Sequence, residues 1–253
     1  MPKAVADAMD EICQETKKQA SRLWVDAEQQ ALQPAVDDWT IELMRKYNRD
    51  GQALLYNTIQ AYLKGSRANA IRHLQLAAEE GWTAAIKLCR GAYIEHEVRA
   101  LIHDTKEDTD RNYDLIADYF ISQKMPPELE HLRFPSSALF LATHNAASAE
   151  KAVSTYCSRA CAGLPVTQTL NCGQIQGMAD ELSCQLVQAH EASMTSGPNG
   201  FQAPGVFKCL SWGSVTECLG YLHRRAVENG GAVERTQHMV AVLRKELSRR
   251  MGL

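Results

Sequence analysis

The sequence predicts an α/β fold with a parallel sheet. Short apolar, strand-like runs alternate with helical stretches along the chain, the order that builds parallel strands joined by crossover helices. About six such runs fit in this length, which suggests a (β/α) barrel. Polar residues gather at the C-terminal ends of the runs, where a barrel collects its active-site side chains. A doubly wound sheet is the competitor. No GxGxxG or P-loop follows any run, which weakens that alternative.

The elements follow in order. A helical segment covers roughly residues 5–20, inside an N-terminal stretch 1–20. The strand-like runs are RLWVD (22–26), ALLYNTIQ (53–60), AAIKLCRGA (84–92), SALFLATHN (137–145), VTQTLNCGQI (166–175) and GVFKCLSWG (205–213). Helical periodicity covers 35–48, 67–81, 148–163 and 177–190, and closing helices occupy 214–230 and 233–251. Gly81, Gly163 and Gly230 stand where helices should stop. Segments 123–137 and 190–205 read as loops. With no linker, repeat or low-complexity tract, residues 1–253 are expected to form a single barrel domain.

Composition excludes several function classes. The chain has 253 residues, 45% hydrophobic and 23% charged, with net charge −3. That balance offers no electrostatic case for nucleic acid. No apolar run approaches the roughly 18 residues of a membrane-spanning helix. The N-terminus resembles neither a signal peptide nor a transit peptide. The 8 cysteines form no CxxC and no zinc-spaced cluster, so a reducing compartment and no metal are expected.

The polar residues at the strand ends are Asp26, Gln60, Lys87, Arg90, Thr143, His144, Asn145 and Gln174. Any one could cap the next helix. As a set they fit that explanation poorly, because Gln and Lys are poor caps. Near the end, YLHRRAVEN (221–229) pairs Arg224 with Arg225. On a helix Tyr221 lies one turn before both, and Glu228 one turn after. Glu228 could hold one arginine and leave the other to meet an anion. An ordinary solvated ion pair is the plainer alternative.

At this point the motifs resemble the proline dehydrogenase family. The blocks are Asp26 with AEQQ, QAYLK (60–64), KLCRGAY (87–93), DTKEDTD (104–110), ATHN (142–145), GQIQGM (173–178) and YLHRRAVEN. They span about residues 20 to 230 and most resemble eukaryotic, especially fungal, members, which share VDAEQ and RRAVEN. The resemblance implies a distorted (βα)8 TIM-like barrel with FAD over its C-terminal face. It implies oxidation of L-proline to Δ1-pyrroline-5-carboxylate by hydride transfer to flavin, with electrons passed to a quinone. It also implies a mitochondrial location and possible peripheral association with the inner membrane.

Carried across by position, the resemblance assigns Arg224 and Arg225 to the proline carboxylate, a planar anion that guanidinium forks suit. Tyr221 and Glu228 would support them, and Ile175 would form apolar substrate wall. By the same resemblance Asp26 and Lys87 would be the catalytic pair: an aspartate acting on a substrate-binding arginine, and a cation beside the flavin. Gln60, Lys87, Arg90, Gly91, Ala92, Tyr93, Lys106, Thr143, His144 and Asn145 would contact the cofactor.

Two departures from the family pattern shape expectations. The opening strand and its lysine have no counterpart before LWVD, so the barrel is expected to be N-terminally incomplete, as a fragment or as a chain that needs another to complete it, and a truncated non-catalytic relative is an alternative. Cys209 stands where the family commonly has tyrosine, and Ser211 replaces proline. A smaller residue there resembles relatives that oxidise 4-hydroxyproline, so a hydroxyproline dehydrogenase is a second alternative. Trp212 or Tyr221 could instead refill the space. A barrel enzyme using Lys87 as a Schiff-base nucleophile is the remaining generic reading.

Overall fold

The computed structural model describes residues 1–94, 96–196, 202–228 and 239–252. Strands β1 (Leu23–Val25), β2 (Leu55–Gln60), β3 (Ala84–Cys89), β4 (Ser137–Ala142), β5 (Thr169–Ile175) and β6 (Gly205–Cys209) neighbour one another in chain order. The β1–β2, β2–β3 and β3–β4 pairs are parallel. A doubly wound sheet reverses its strand order partway; this sheet does not, as a barrel requires. The chain divides into two compact units, Met1–Cys172 and Gly173–Leu253, and the division falls within β5.

In the first unit, helix α1 (Lys3–Lys18) precedes β1, and helices α2 (Gln33–Tyr47), α3 (Ser66–Glu80), α4 (Lys106–Ile121) and α5 (Ala146–Cys161) separate the strands. Every residue of β2 is buried, as in a parallel strand covered on both faces. The core includes Ile59, Ile86, Leu88, Leu139 and Leu141 with Ile41, Met44, Leu74, Ile116 and Phe120 from the helices. Asn48, fully buried after α2, donates to the Leu55 and Thr83 carbonyls at 2.8 and 3.1 Å and accepts from the Leu54 and Leu55 amides. One side chain thus ties the helix end to the starts of β2 and β3.

Two helices depart from the sequence reading. That reading assigns no element to 93–122, yet α4 lies there. Thr105 accepts from the Asp108 amide, and Asp108 accepts from the Thr105 amide, completing a capping box. The reading also ends a helix at 190, where α6 (Asp180–Ser196) continues. His190 shares a 2.7 Å hydrogen bond with the Ala203 carbonyl, and the Ala203 amide donates to Ser193 Oγ at 2.8 Å. Those bonds anchor the added turns.

The second unit also contains α7 (Val215–Glu228) and α8 (Met239–Met251). Helices α6 and α8 are joined by Gln188 donating to Glu246 at 2.7 Å and by the Arg249–Glu191 pair. Gly81 closes α3 in the left-handed conformation at φ 71°, as expected. Gly230 lies outside the described residues.

Candidate active site at the strand ends

In the first unit, register places Trp24 beside Tyr56, Thr58 beside Lys87, and Lys87 beside Phe140. Side chains alternate along a strand, so Asp26, Gln60 and Lys87 share one face near the C-terminal ends. Their floor is apolar. Tyr56, Ala85 and Ala138 form a buried cluster against which Trp24 and Phe140 pack. The Trp24 ring stacks on Tyr56 at 5.6 Å and meets Phe140 edge-on at 5.1 Å. Above this floor Lys87 forms an ion pair with Asp26. Lys87 is 23% exposed and Asp26 78%, so the cation comes from the strand face and the carboxylate from the rim. An ion pair so open to water is worth about 1 kcal/mol or less in stability. Trp24 Nε1 is a buried donor without a hydrogen-bond partner among the described residues.

Gln60 is nearly buried, and its amide is occupied at both ends. It donates to the Glu28 carbonyl at 3.1 Å and accepts from the Ala92 amide at 3.0 Å. It therefore bridges the loops that follow β1 and β3. Tyr93 adds a 3.2 Å bond from its hydroxyl to the Glu28 carboxylate. Gly91 passes close over Tyr62: a Cβ there would fall 2.2 Å from the tyrosine ring. Burial pushes the Tyr62 hydroxyl up to about 12.

Arg90 extends toward the helices. Its guanidinium pairs with Asp110, donates to Ser148 Oγ at 2.7 Å, and lies 4.7 Å over the Tyr113 ring. Lys106 reaches the same Asp110 at 2.6 Å while staying 71% exposed. Two expected cofactor residues far apart in sequence therefore converge on one carboxylate. Thr143 is buried and accepts from the Asn145 amide at 3.1 Å. Asn145 caps α5, accepting from the Ser148 amide at 3.1 Å, so the capping alternative describes its side chain. His144 is exposed beside it.

In the second unit, Ile175 ends β5 half-buried and Cys209 ends β6 exposed. Trp212 is 98% exposed, so it does not refill the space beside Cys209. Helix α7 carries Tyr221, Arg224, Arg225 and Glu228. The Arg225 guanidinium sits 5.3 Å over the Tyr221 ring, a cation–π contact that folds the arginine back over the preceding turn. The side chains of Arg224 and Glu228 lie outside those described.

The proline dehydrogenase family model matches residues 3–238. This chain belongs to the proline dehydrogenase family. It is 35% identical over 234 residues to Proline dehydrogenase 1, mitochondrial, of Caenorhabditis elegans, covering 91% of this chain and 35% of that protein. It is 33% identical over 252 residues to the probable mitochondrial proline dehydrogenase of Schizosaccharomyces pombe, covering 96% of this chain and 49% of that protein. The chain thus spans between about a third and a half of these relatives. In structure it resembles proline utilization A from Bdellovibrio bacteriovorus, inactivated by N-propargylglycine. That match has a TM-score of 0.68 at 19% identity and covers 90% of this chain and 22% of the other. It establishes the TIM-like barrel fold of this proline dehydrogenase family member.

Sequence reasoning missed a buried polar group behind β2. Asp37, Asn57, Asn69 and His73 join there, with Asp37 5% exposed and Asn57 and His73 fully buried. Its one signal was Asn57, a carboxamide inside the apolar run ALLYNTIQ.

Proposed function

We propose that this chain carries the FAD-dependent oxidation of L-proline to Δ1-pyrroline-5-carboxylate, in the mitochondrion, with a quinone as final electron acceptor. The observation that carries the reading is the Lys87–Asp26 pair on an aromatic floor at the strand ends, in a chain of this family. The residues suit FAD. A cation rises from the strand face, an indole N–H is buried without a partner among the described residues, and the Gly91 backbone leaves no room for a side chain on the Tyr62 side. When bound, FAD supplies the two-electron acceptor.

The chain's own residues would bind, orient and balance charge. Lys87 holds positive charge where negative charge gathers in the reaction, and a fixed cation over an apolar floor acts without reorganising. Asp26 orients that ammonium and offsets excess positive charge. Arg224 and Arg225 would grip the proline carboxylate, with Tyr221 stiffening Arg225. Fixing the ring's orientation is a positioning task, and positioning supplies a large part of many rate enhancements. Lys106 and Arg90, gathered on Asp110, offer positive charge suited to a pyrophosphate. Proline loses two electrons and two protons, and the electrons leave to the quinone. No helix among the described residues is long and apolar enough to cross a membrane.

Cys209 favours one narrower reading, use of 4-hydroxyproline, because an exposed thiol leaves room that a tyrosine ring would fill. Turnover of the FAD-supplied chain with each substrate tests both readings. Formation of Δ1-pyrroline-5-carboxylate from L-proline is expected. Cys209→Tyr should lower kcat/KM for 4-hydroxyproline about tenfold relative to proline, the size of a steric discrimination. Equal effects on both substrates would remove the narrower reading. No turnover of either would leave the non-catalytic relative.

A further inference from the structure

Behind β2, hydrogen-bond directions run in one sense from a single buried carboxylate. Asp37 accepts from Gln33 Nε2 at 2.7 Å, Asn57 Nδ2 at 2.7 Å and Asn69 Nδ2 at 2.8 Å. An ionised carboxylate only accepts, so each amide must turn its NH2 toward it. His73 completes the set. The Asn69 carbonyl at 2.8 Å can only accept, so His73 Nδ1 carries the proton. Nε2 then accepts the second Asn57 proton at 3.0 Å. The Asn57 oxygen accepts from the Thr58 amide at 3.0 Å.

The consequence reaches the strand ends. With its NH2 fixed on Asp37, Gln33 must aim its oxygen the other way, where it accepts from the Glu28 amide at 2.7 Å. The Glu28 carbonyl accepts from Gln60, and Gln60 accepts from Ala92. The Gln30 amide adds a 2.9 Å bond to Glu97 across the same two loops. Asp26 begins the first of these loops, and the second follows the strand that carries Lys87.

We propose that Gln33 and Asp37 are positioning residues for the strand-end site. They orient the Glu28 peptide and, through Gln60, hold the loops after β1 and β3 as one piece, keeping Asp26 on Lys87. The structural half stands on the hydrogen bonds alone, and its catalytic consequence rests on the proposed function.

Asp37→Asn would put an amide among amide donors and risks the α2–α3 layer as a whole, so Gln33→Met carries the test. Methionine keeps the length, leaves Asp37 with Asn57 and Asn69, and removes the acceptor for Glu28. Amide hydrogen exchange is read residue by residue on the FAD-supplied chain. Exchange at Glu28 and Ala92 should rise about tenfold, the loss of one ordinary hydrogen bond. Ala61, whose amide bonds the Cys89 carbonyl at the base of the same loops, should hardly change. Flavin reduction by L-proline should slow about tenfold while KM moves little, because the loop sets geometry and not substrate grip. Unchanged exchange at Glu28 and Ala92, or an equal rise at Ala61, would overturn the proposal. If the exchange pattern appears but wild-type chain neither holds FAD nor oxidises proline, the positioning stands and the functional reading falls.

Discussion

His73 has no solvent exposure, and both ring nitrogens are committed: Nδ1–H to the Asn69 carbonyl, Nε2 to Asn57. A second ring proton would face the Asn57 NH2. Burial accordingly pushes its pKa below the ordinary histidine value. The unfolded chain therefore binds this proton more readily than the folded one. The contribution of His73 to stability should be present above about pH 6.5 and be lost as pH drops below that, by up to ~1.4 kcal/mol per pH unit. Urea midpoints between about pH 7.5 and about pH 5.5 check this. His73→Gln keeps an acceptor for Asn57 and does not titrate, so its midpoint should fall less over that range; equal slopes would contradict the account. At this scale the sequence disclosed the strand-end residues better than the buried ones. Asp26 and Lys87 were visible because each stands at or near the end of an apolar run. Asp37 and His73 were not, because a polar residue on an amphipathic helix reads as a solvated face. Only packing against Asn57 shows otherwise. Gln60 was visible as a residue, but its bridge between the Glu28 carbonyl and the Ala92 amide leaves no trace in sequence.

Where β3 passes into its loop, backbone meets side chain so closely that Gly91 leaves no room for a Cβ beside Tyr62. The ring cannot withdraw easily, since Tyr62 is buried against Leu63 and Ile102. Gly91→Ala should destabilise the fold by about 1–3 kcal/mol, the range for overpacking a closed site. It should also weaken FAD binding, because the displaced loop carries Ala92 and its bond to Gln60. Urea unfolding and flavin titration measure the two effects, and an unchanged midpoint would refute the close contact. Strands were legible from apolar runs ending in polar residues, but they stop earlier than the runs do. AAIKLCRGA pairs only to Cys89, and SALFLATHN only to Ala142. The leftover residues are the loops that carry the site. Helix α4 was hidden by its mixed charge, although its capping box, Thr105 with Asp108, stands in the sequence.

At the scale of the whole molecule, alternation of strands and helices already implied parallel strands. Sequential order then distinguishes a barrel from a doubly wound sheet. What alternation could not disclose is the division of the chain within β5, because nothing in composition changes at residue 172. The chain spans between about a third and a half of the length of the relatives it matches, and it carries Asp26, Lys87, Arg224 and Arg225. The central claim is that these residues still serve flavin-dependent proline oxidation. The visible absorption spectrum of the purified chain, supplied with FAD and recorded before and after anaerobic addition of L-proline, tests it most directly. The account predicts protein-bound flavin bands that bleach on proline addition. Folded chain that takes up no flavin, or flavin bands that proline leaves unchanged, would contradict it.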